Sequence, residues 1–355
     1  MKKNISKSDV HAAQSRMATM LANVEAVERT PLALIANGDS LKPGEVYLAN
    51  ESVFTQNYFD EPLTTYALGW RDPNNIQATL DFFAPSVSTP RRFTYKQWVN
   101  IEEFLSEGAN DDLRAIGQEF PTVKFTGSEV HSRTDNRGLR IRIDLDEVAD
   151  PTSAIAGGVP AYQARVVEKL KRRILRNSLR RAIAVLSAAA TNTAKTWNTT
   201  AGTDPDMDVL NALLAANTAS GIRPNKVGYG DTAWTKRILA HRAQNNAGGY
   251  ASAGLTMDQV GGFFGAEAYV SRERYSSQGN ALSEAVGNLV LMFFSQGTDV
   301  EDPSNIKRFT SPCEGGGDFR VYVQQVTSKL VDITVEHYEK IAVTSSLGLS
   351  QLTIS

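Results

Sequence analysis

One cysteine, Cys313, stands in a chain of 355 residues. That excludes an intrachain disulfide and any zinc knuckle built on paired cysteines, and it suits a reducing cytosol. Histidine is nearly as scarce: His11, His131, His241 and His337 are the only four. None falls in an HExxH or HxH arrangement, so no metal centre is expected. No stretch approaches the run of about 18 apolar residues that a membrane helix needs. Residues 1–17 lack the apolar core of a secretory signal. No internal repeat of about 20–50 residues is visible. A GxSxG nucleophile elbow is absent. Gly261-Gly262-Phe263-Phe264-Gly265 lacks the Lys-Ser/Thr that completes a phosphate loop, and reads as close packing. Cys313 has no neighbouring His and reads as a passive thiol. Asp144 and Asp146 share one side of a strand pattern, which suits solvent or an ion pair better than acid–base work. Nothing here supports catalysis, and no cofactor or metal is assigned.

A large excess of one charge is also missing. Net charge is −2, with 41% hydrophobic and 21% charged residues. These are ordinary values for a soluble globular chain of about two domains with a real core. Whole-chain electrostatics do not point to nucleic acid.

What stands out is a helix. Pro160 suits a first helical turn, and no Gly or Pro follows until Gly202. The pattern predicts a helix within 160–196, where roughly 30 or more unbroken residues would span roughly 45–50 Å. Val166, Val167, Leu170, Ile174, Leu175, Leu179, Ile183 and Leu186 form an apolar stripe at helical spacing. Arg165, Lys169, Lys171, Arg172, Arg173, Arg176, Arg180 and Arg181 lie between them, opposed only by Glu168. Such a cluster can face nucleic acid by counterion release, but few aromatics interleave it for base stacking. Arginine suits bidentate carboxylate pairing, and contacts between subunits through Arg172, Arg173, Arg176, Arg180 and Arg181 are the favoured reading.

Around the helix the chain changes character several times. Residues 6–27 have helical composition with a thin apolar face, fitting either a frayed terminus or an arm that orders on a partner. Pro31, Pro43, Pro62, Pro73, Pro85 and Pro90 break up residues 31–90, although 78–85 reads as buried. Over 91–131 two strand-like arms flank an acidic tip, Glu102, Glu103, Glu107, Asp111 and Asp112. Phe93, Tyr95, Gln97 and Val99 alternate on the first arm against Thr94, Lys96, Trp98 and Asn100. The tip fits a solvated face, or docking on a basic surface such as the helix. A turn at 135–138 precedes a strand whose Leu139, Ile141, Ile143 and Leu145 face a core. Residues 204–310 alternate helices and short strands as a mixed α/β domain. Within it 245–254, with Gly248, Gly249 and Tyr250, reads as a loop, as does 303–317. The end is β-rich.

The order of arm, long two-stranded loop, strand, spine helix, inserted α/β domain and β-rich return resembles the major capsid protein of tailed bacteriophages and prophages, with the Hong Kong 97-type fold. LDFFAP at 80–85, LRNSLRRA at 175–182, AAATNTAKTW at 188–197, GIRPNKVGYGD at 221–231, AHRAQNNAGGYASAGLT at 240–256 and DPSNIKRFTSPCEGGG at 302–317 are similar to prophage capsid sequences. The similarity covers most of 78–355 and is weakest over residues 1–77. It implies an α+β fold with an N-terminal arm and wrapping segment (1–90), an extended loop (91–131), a peripheral domain with the spine helix (132–203), an axial domain (204–320) and peripheral return strands (321–355). Hexamers and pentamers would close into an icosahedral shell around double-stranded DNA, assembled in the bacterial cytoplasm and located in the virion. Gly248, Gly249 and Tyr250 would lie in an axial-domain loop. Some relatives carry an N-terminal scaffold removed by a protease. Residues 1–90 lack a long charged coiled-coil pattern, so a separate scaffolding protein is expected, with a portal and, in some relatives, a cement protein. Some relatives also link loop lysines to a neighbour's asparagine. Lys96 and Lys124 lie on the loop arms, but no motif assigns them that role.

Overall fold

The computed structural model describes residues 59–72, 75–98, 113–114, 118–120, 127–146, 158–200, 202–276, 281–297, 302–314 and 316–355. The chain divides into two units, Met1–Tyr58 and Phe59–Ser355; everything below concerns the second. The acidic tip, the N-terminal helical stretch and residues 121–126 of the second loop arm lie outside the described residues.

The spine is α3, Gly158–Ala189; it is preceded by α1, Glu61–Gly69, and α2, Ile76–Phe83. The prolines of this earlier region allow only short helices. Asp60 caps α1, accepting from the Leu63 N–H at 2.8 Å. Lys171 of the spine closes its other end, donating to the carbonyls of Ala67 and Trp70. The whole predicted apolar stripe is buried, from Val166 at 3% exposure to Leu186 at 0%. It shares one core with Leu63 and Ala67 of α1, Ile76, Leu80 and Phe83 of α2, and Ile333 and Val335. At 32 residues the spine is about 48 Å long.

The described strands form two five-stranded sheets, and the spine packs on the first. The first has the order β1 (Ser86–Ser88), β11 (Ile306–Ser311), β13 (Leu330–Val343) and β12 (Arg320–Gln325), with β4 (Asp135–Asp144) also pairing β13. β13 is the long central strand. Its residues 330–339 pair β4 along one edge, while β12 and then β11 follow one another along the other. β4 is therefore an edge strand. That explains a departure from the alternation: Ile143 is buried, but Ile141 is 40% exposed. The charged side of β4 is not simply solvated, since Arg142 grips the buried Asp332 at 2.7 and 3.0 Å.

The second sheet runs β5 (Thr191–Lys195), β14 (Ser350–Ile354), β10 (Leu289–Phe293), β6 (Lys226–Gly230) and β7 (Glu267–Ser271). Its helices are α4 (Pro205–Ser220), α5 (Asp231–Ala243), α6 (Ala247–Ala253) and α7 (Met257–Phe264), and a small hairpin of β8 (Arg274–Ser276) and β9 (Leu282–Glu284) stands apart. Val209, Leu213, Val227, Tyr229, Trp234, Phe264 and Met292 fill its core. Asp204 caps α4 and Thr256 makes a capping box with Gln259 on α7. Gly228 of β6 is required by contact: a Cβ there would lie 2.4 Å from the Phe83 ring.

Several boundaries read from sequence move. The spine ends at Ala189 rather than 196, because Thr191–Lys195 becomes β5, parallel to β14. β-Branched threonines favour that extended form, and β14 supplies the hydrogen-bonding edge. For the same reason 350–354 belongs to the second sheet rather than to the return strands of the first. The expected loop at 303–317 holds β11, which pairs β13 in the first sheet. The stretch 245–254 contains α6, nucleated by Asn246, whose side chain accepts from the Gly249 N–H at 2.6 Å.

The base of the extended loop is an antiparallel hairpin, β2 (Arg92–Gln97) with β3 (Ser128–Arg133). Phe93 and Tyr95 pack on Phe309 as the alternation predicts, with ring centroids 4.5 and 5.2 Å away. Trp98, assigned to the polar side, is buried instead, where it bridges Ser345.

Candidate functional site

The described residues form no convergent reactive cleft. No group of three or more His, Cys, Asp or Glu among them could hold a metal, and no described helix is long and apolar enough to cross a membrane. His131 is exposed and shares a hydrogen bond with Thr94 at 2.8 Å. Cys313 is buried, and burial pushes its thiol up to about 12, which makes it inert. Asp146 pairs with Lys329 at 2.5 Å, the ion-pair role expected of that cluster. A Cβ on Gly261 would lie 2.7 Å from the Ala266 carbonyl, so that glycine serves packing.

The spine cations are the candidate site, and the fold sorts them. Arg172 pairs with the buried Asp72 at 3.0 Å. Arg176 reaches Glu273 at 3.3 Å. Arg180 stacks 3.7 Å over the Tyr275 ring. Arg181 and Ser178 both bind Glu339, a carboxylate 1% exposed. Lys171, buried under Trp70 and Phe319, caps α1; burial lowers its ammonium from 10.5 to about 8. Glu168 accepts from the Tyr66 hydroxyl. Arg165, Lys169 and Arg173 remain exposed, with no partner among the described residues. Of the five arginines expected to meet a neighbour, four thus have partners inside the chain and only Arg173 is free.

Three buried ionic clusters escaped the sequence reading. Glu339 holds the spine to β13, and His337 lies 3.3 Å away while its Nδ1 faces the Arg137 carbonyl at 3.0 Å. Burial alone would push the Glu339 carboxyl up; His337 and Arg181 reverse this and hold it at about 2. In the second sheet Arg237, fully buried, binds Asp206 at 2.6 and 2.7 Å, and His241 approaches the same carboxylate at 3.1 Å. Burial opposes ionisation of Asp206, but those two partners outweigh it and keep its carboxyl below the ordinary range. Asp332, gripped by Arg142 and near Arg140, is likewise lowered. The one signal was the charged residue placed at an inward strand or helix position.

Gly248, Gly249 and Tyr250 sit in α6. Gly249 is buried, and a Cβ there would lie 2.4 Å from the His241 carbonyl. Tyr250 is 53% exposed, one of several large apolar side chains facing outward from this sheet and its helices with Met207, Leu214, Leu239 and Phe263.

No family model matches the chain, and no curated protein matches it. Solved structures do. A phage-related protein from Bordetella bronchiseptica RB50 superimposes with a TM-score of 0.60 at 17% identity, over 84% of this chain and 97% of that one. The capsid of the cyanophage P-SCSP1u gives a TM-score of 0.49 at 10% identity, over 90% and 93%. The putative capsid protein of a prophage of E. coli CFT073 gives 0.46 at 11% identity, over 82% and 95%. The mixed α+β fold is therefore shared with a phage-related protein along nearly all of that protein's length.

Proposed function

We propose that this chain is the major capsid protein of a tailed phage or prophage, a structural subunit and not an enzyme. Copies gather as hexamers and pentamers and close into an icosahedral shell around double-stranded DNA. The observation that carries this is the architecture: one 32-residue helix, two five-stranded sheets and a hairpin packed on the first of them, in the fold of a phage-related protein. Individually modest interfaces add up when repeated around a closed shell. The partners are other copies, a separate scaffolding protein, a portal and, as in some relatives, a cement protein. Assembly takes place in the bacterial cytoplasm and the product belongs to the virion. The inter-subunit role expected for Glu102, Glu103, Glu107, Asp111 and Asp112 belongs to the same reading.

Electron microscopy and light scattering of the full-length chain test it. Closed particles of megadalton mass are expected. A chain that stays monomeric under every assembly condition, its scaffold included, refutes the proposal.

A second reading rests on the exposed cations of α3. A DNA-binding or packaging-associated protein would bind DNA before assembly with a steep salt slope. No binding at low salt eliminates it.

A further inference from the structure

We infer that the hollow between α3 and the β8–β9 hairpin is a binding site for a small amphipathic carboxylate, an apolar body carrying one negative charge. The hollow measures about 490 Å³, within the usual range of ligand sites, about 300–1,000 Å³. Two contacts tie the helix to β8 and the residue before it: Arg176 reaches Glu273 at 3.3 Å, and Arg180 lies 3.7 Å over the Tyr275 ring. Asn177, Arg180, Arg181, Ala184 and Ser187 recur at helical spacing and share the face that lines the hollow. The small side chains of Ala184 and Ala285 leave the space open, and Ile183 and Leu289 add apolar wall.

The polar part of the lining has unused bonding capacity. Arg176 and Arg181 are matched in charge by Glu273 and Glu339, whereas Arg180 has no carboxylate partner among the described residues. Its contact with Tyr275 is that of a stacked guanidinium, whose N–H groups lie in its own plane and stay available. Arg181 commits Nη2 to Ser178 and Glu339, while its buried Nε has no hydrogen-bond partner. Neither the Asn177 amide nor the Tyr275 hydroxyl has one among the described residues. One surplus positive charge calls for a monoanion, and the planar fork of arginine fits a carboxylate through two hydrogen bonds. The apolar wall favours a hydrophobic body attached to that carboxylate. A nucleic-acid strand fits less well, since a single unpaired cation offers little to a chain of phosphates. Every residue of the site belongs to one copy, so the inference does not depend on the shell reading.

Calorimetric titration of the full-length chain with sodium octanoate tests it. Saturable binding of one octanoate per chain is expected. Arg180→Gln should weaken binding by about tenfold, the loss of a hydrogen-bonded charge. Octanol, with the same tail and no charge, should bind the wild type more weakly than octanoate by about the same factor. Ala184→Trp fills the hollow from an exposed position and should abolish binding. Unfolding midpoints near wild type confirm that both variants fold; should Ala184→Trp not fold, Ala184→Leu takes its place and should weaken octanoate. Acetyl-glycyl-phenylalanyl-leucine, compared with its amide, identifies the source of the carboxylate. Tighter binding than octanoate, lost in the amide, supports the site as a receptor for a polypeptide end; the opposite order supports it as a receptor for a free small molecule. A titration in which neither ligand saturates overturns the inference. So does octanoate that binds Arg180→Gln or the filled variant as well as wild type, or octanol that binds as tightly as octanoate. The assay needs no particle, so each of these failures leaves the shell reading standing, and a chain that binds octanoate but never assembles refutes only the shell.

Discussion

Replacing Glu339 with Gln should cost about 3 kcal/mol at neutral pH, and the cost should vanish in acid. Glu339 is 1% exposed and takes Ser178 at 2.8 and 2.9 Å, with Arg181 on the same carboxylate and His337 3.3 Å away. Its carboxyl falls from 4.5 to about 2 in the folded chain. At about 1.36 kcal/mol for each factor of ten in acidity, that drop is worth about 3.4 kcal/mol. Mutational loss of one member of a buried pair gives a similar figure, about 3–5 kcal/mol. Arg181 keeps 31% exposure and recovers some hydration, which favours the lower end. Glutamine preserves shape and the Ser178 hydrogen bond, so the difference reports charge. The sign follows from a depressed carboxylate. The stabilisation is fully present above the unfolded value of 4.5 and fades as pH falls toward 2. Urea unfolding of wild type and Glu339→Gln at pH 7, 5, 4 and 3 measures it. A gap that narrows steadily below about pH 4.5 is expected. An equal gap at pH 7 and pH 3 would refute the electrostatic account and leave packing as the cause.

Three further outcomes rest on equally local geometry. Asp206→Ala strands the fully buried Arg237 and should destabilise the chain by about 3–5 kcal/mol in chemical unfolding, whereas Asp206→Leu with Arg237→Met should recover much of it. Gly228→Ala drives a methyl to 2.4 Å from the Phe83 ring; a loss of about 1–3 kcal/mol is expected, partly relieved by Phe83→Leu, and an unchanged unfolding midpoint for Gly228→Ala would contradict the contact. Lys171 is lowered from 10.5 to about 8 by burial, so between those values the unfolded chain holds more protons and stability should rise with pH. The alkaline gain should disappear in Lys171→Met, measured against wild type from pH 7.5 to 10.

The readable parts of this fold are those set by local periodicity. The stripe from Val166 to Leu186 needed only helical spacing, and all of it is buried. The capping residues Asp204 and Thr256 lie within three residues of the N–H groups they serve or the partner they share. The unreadable parts are contacts that close over long stretches of chain. No Gly or Pro marks Ala189 as a helix end; the strand that captures Thr191 begins at Ser350. Trp98 alternates onto the polar side, and only Ser345 makes that side an interior. Asp206 sits in the acidic first turn of α4, and only Arg237, 31 residues later, makes it a buried counter-ion.

The same distinction decides how the spine cations divide. Asp72, Glu273 and Glu339 stand 100, 97 and 158 residues from the arginines they hold, so composition alone made all the cations look equivalent. They are not equivalent in energy. For Arg181 to serve a neighbouring copy it must leave a carboxylate that is 1% exposed, and that carboxylate would lose a principal counter-charge in a dry interior. Arg172 faces the same obstacle at Asp72, whose side chain is 0% exposed. Arg165, Lys169 and Arg173 have no pair to break among the described residues. An exposed ion pair is worth little singly, about 0.2–1 kcal/mol. Three such cations on one open side of the helix are therefore the ones on which added salt should act most, since no buried carboxylate shields them.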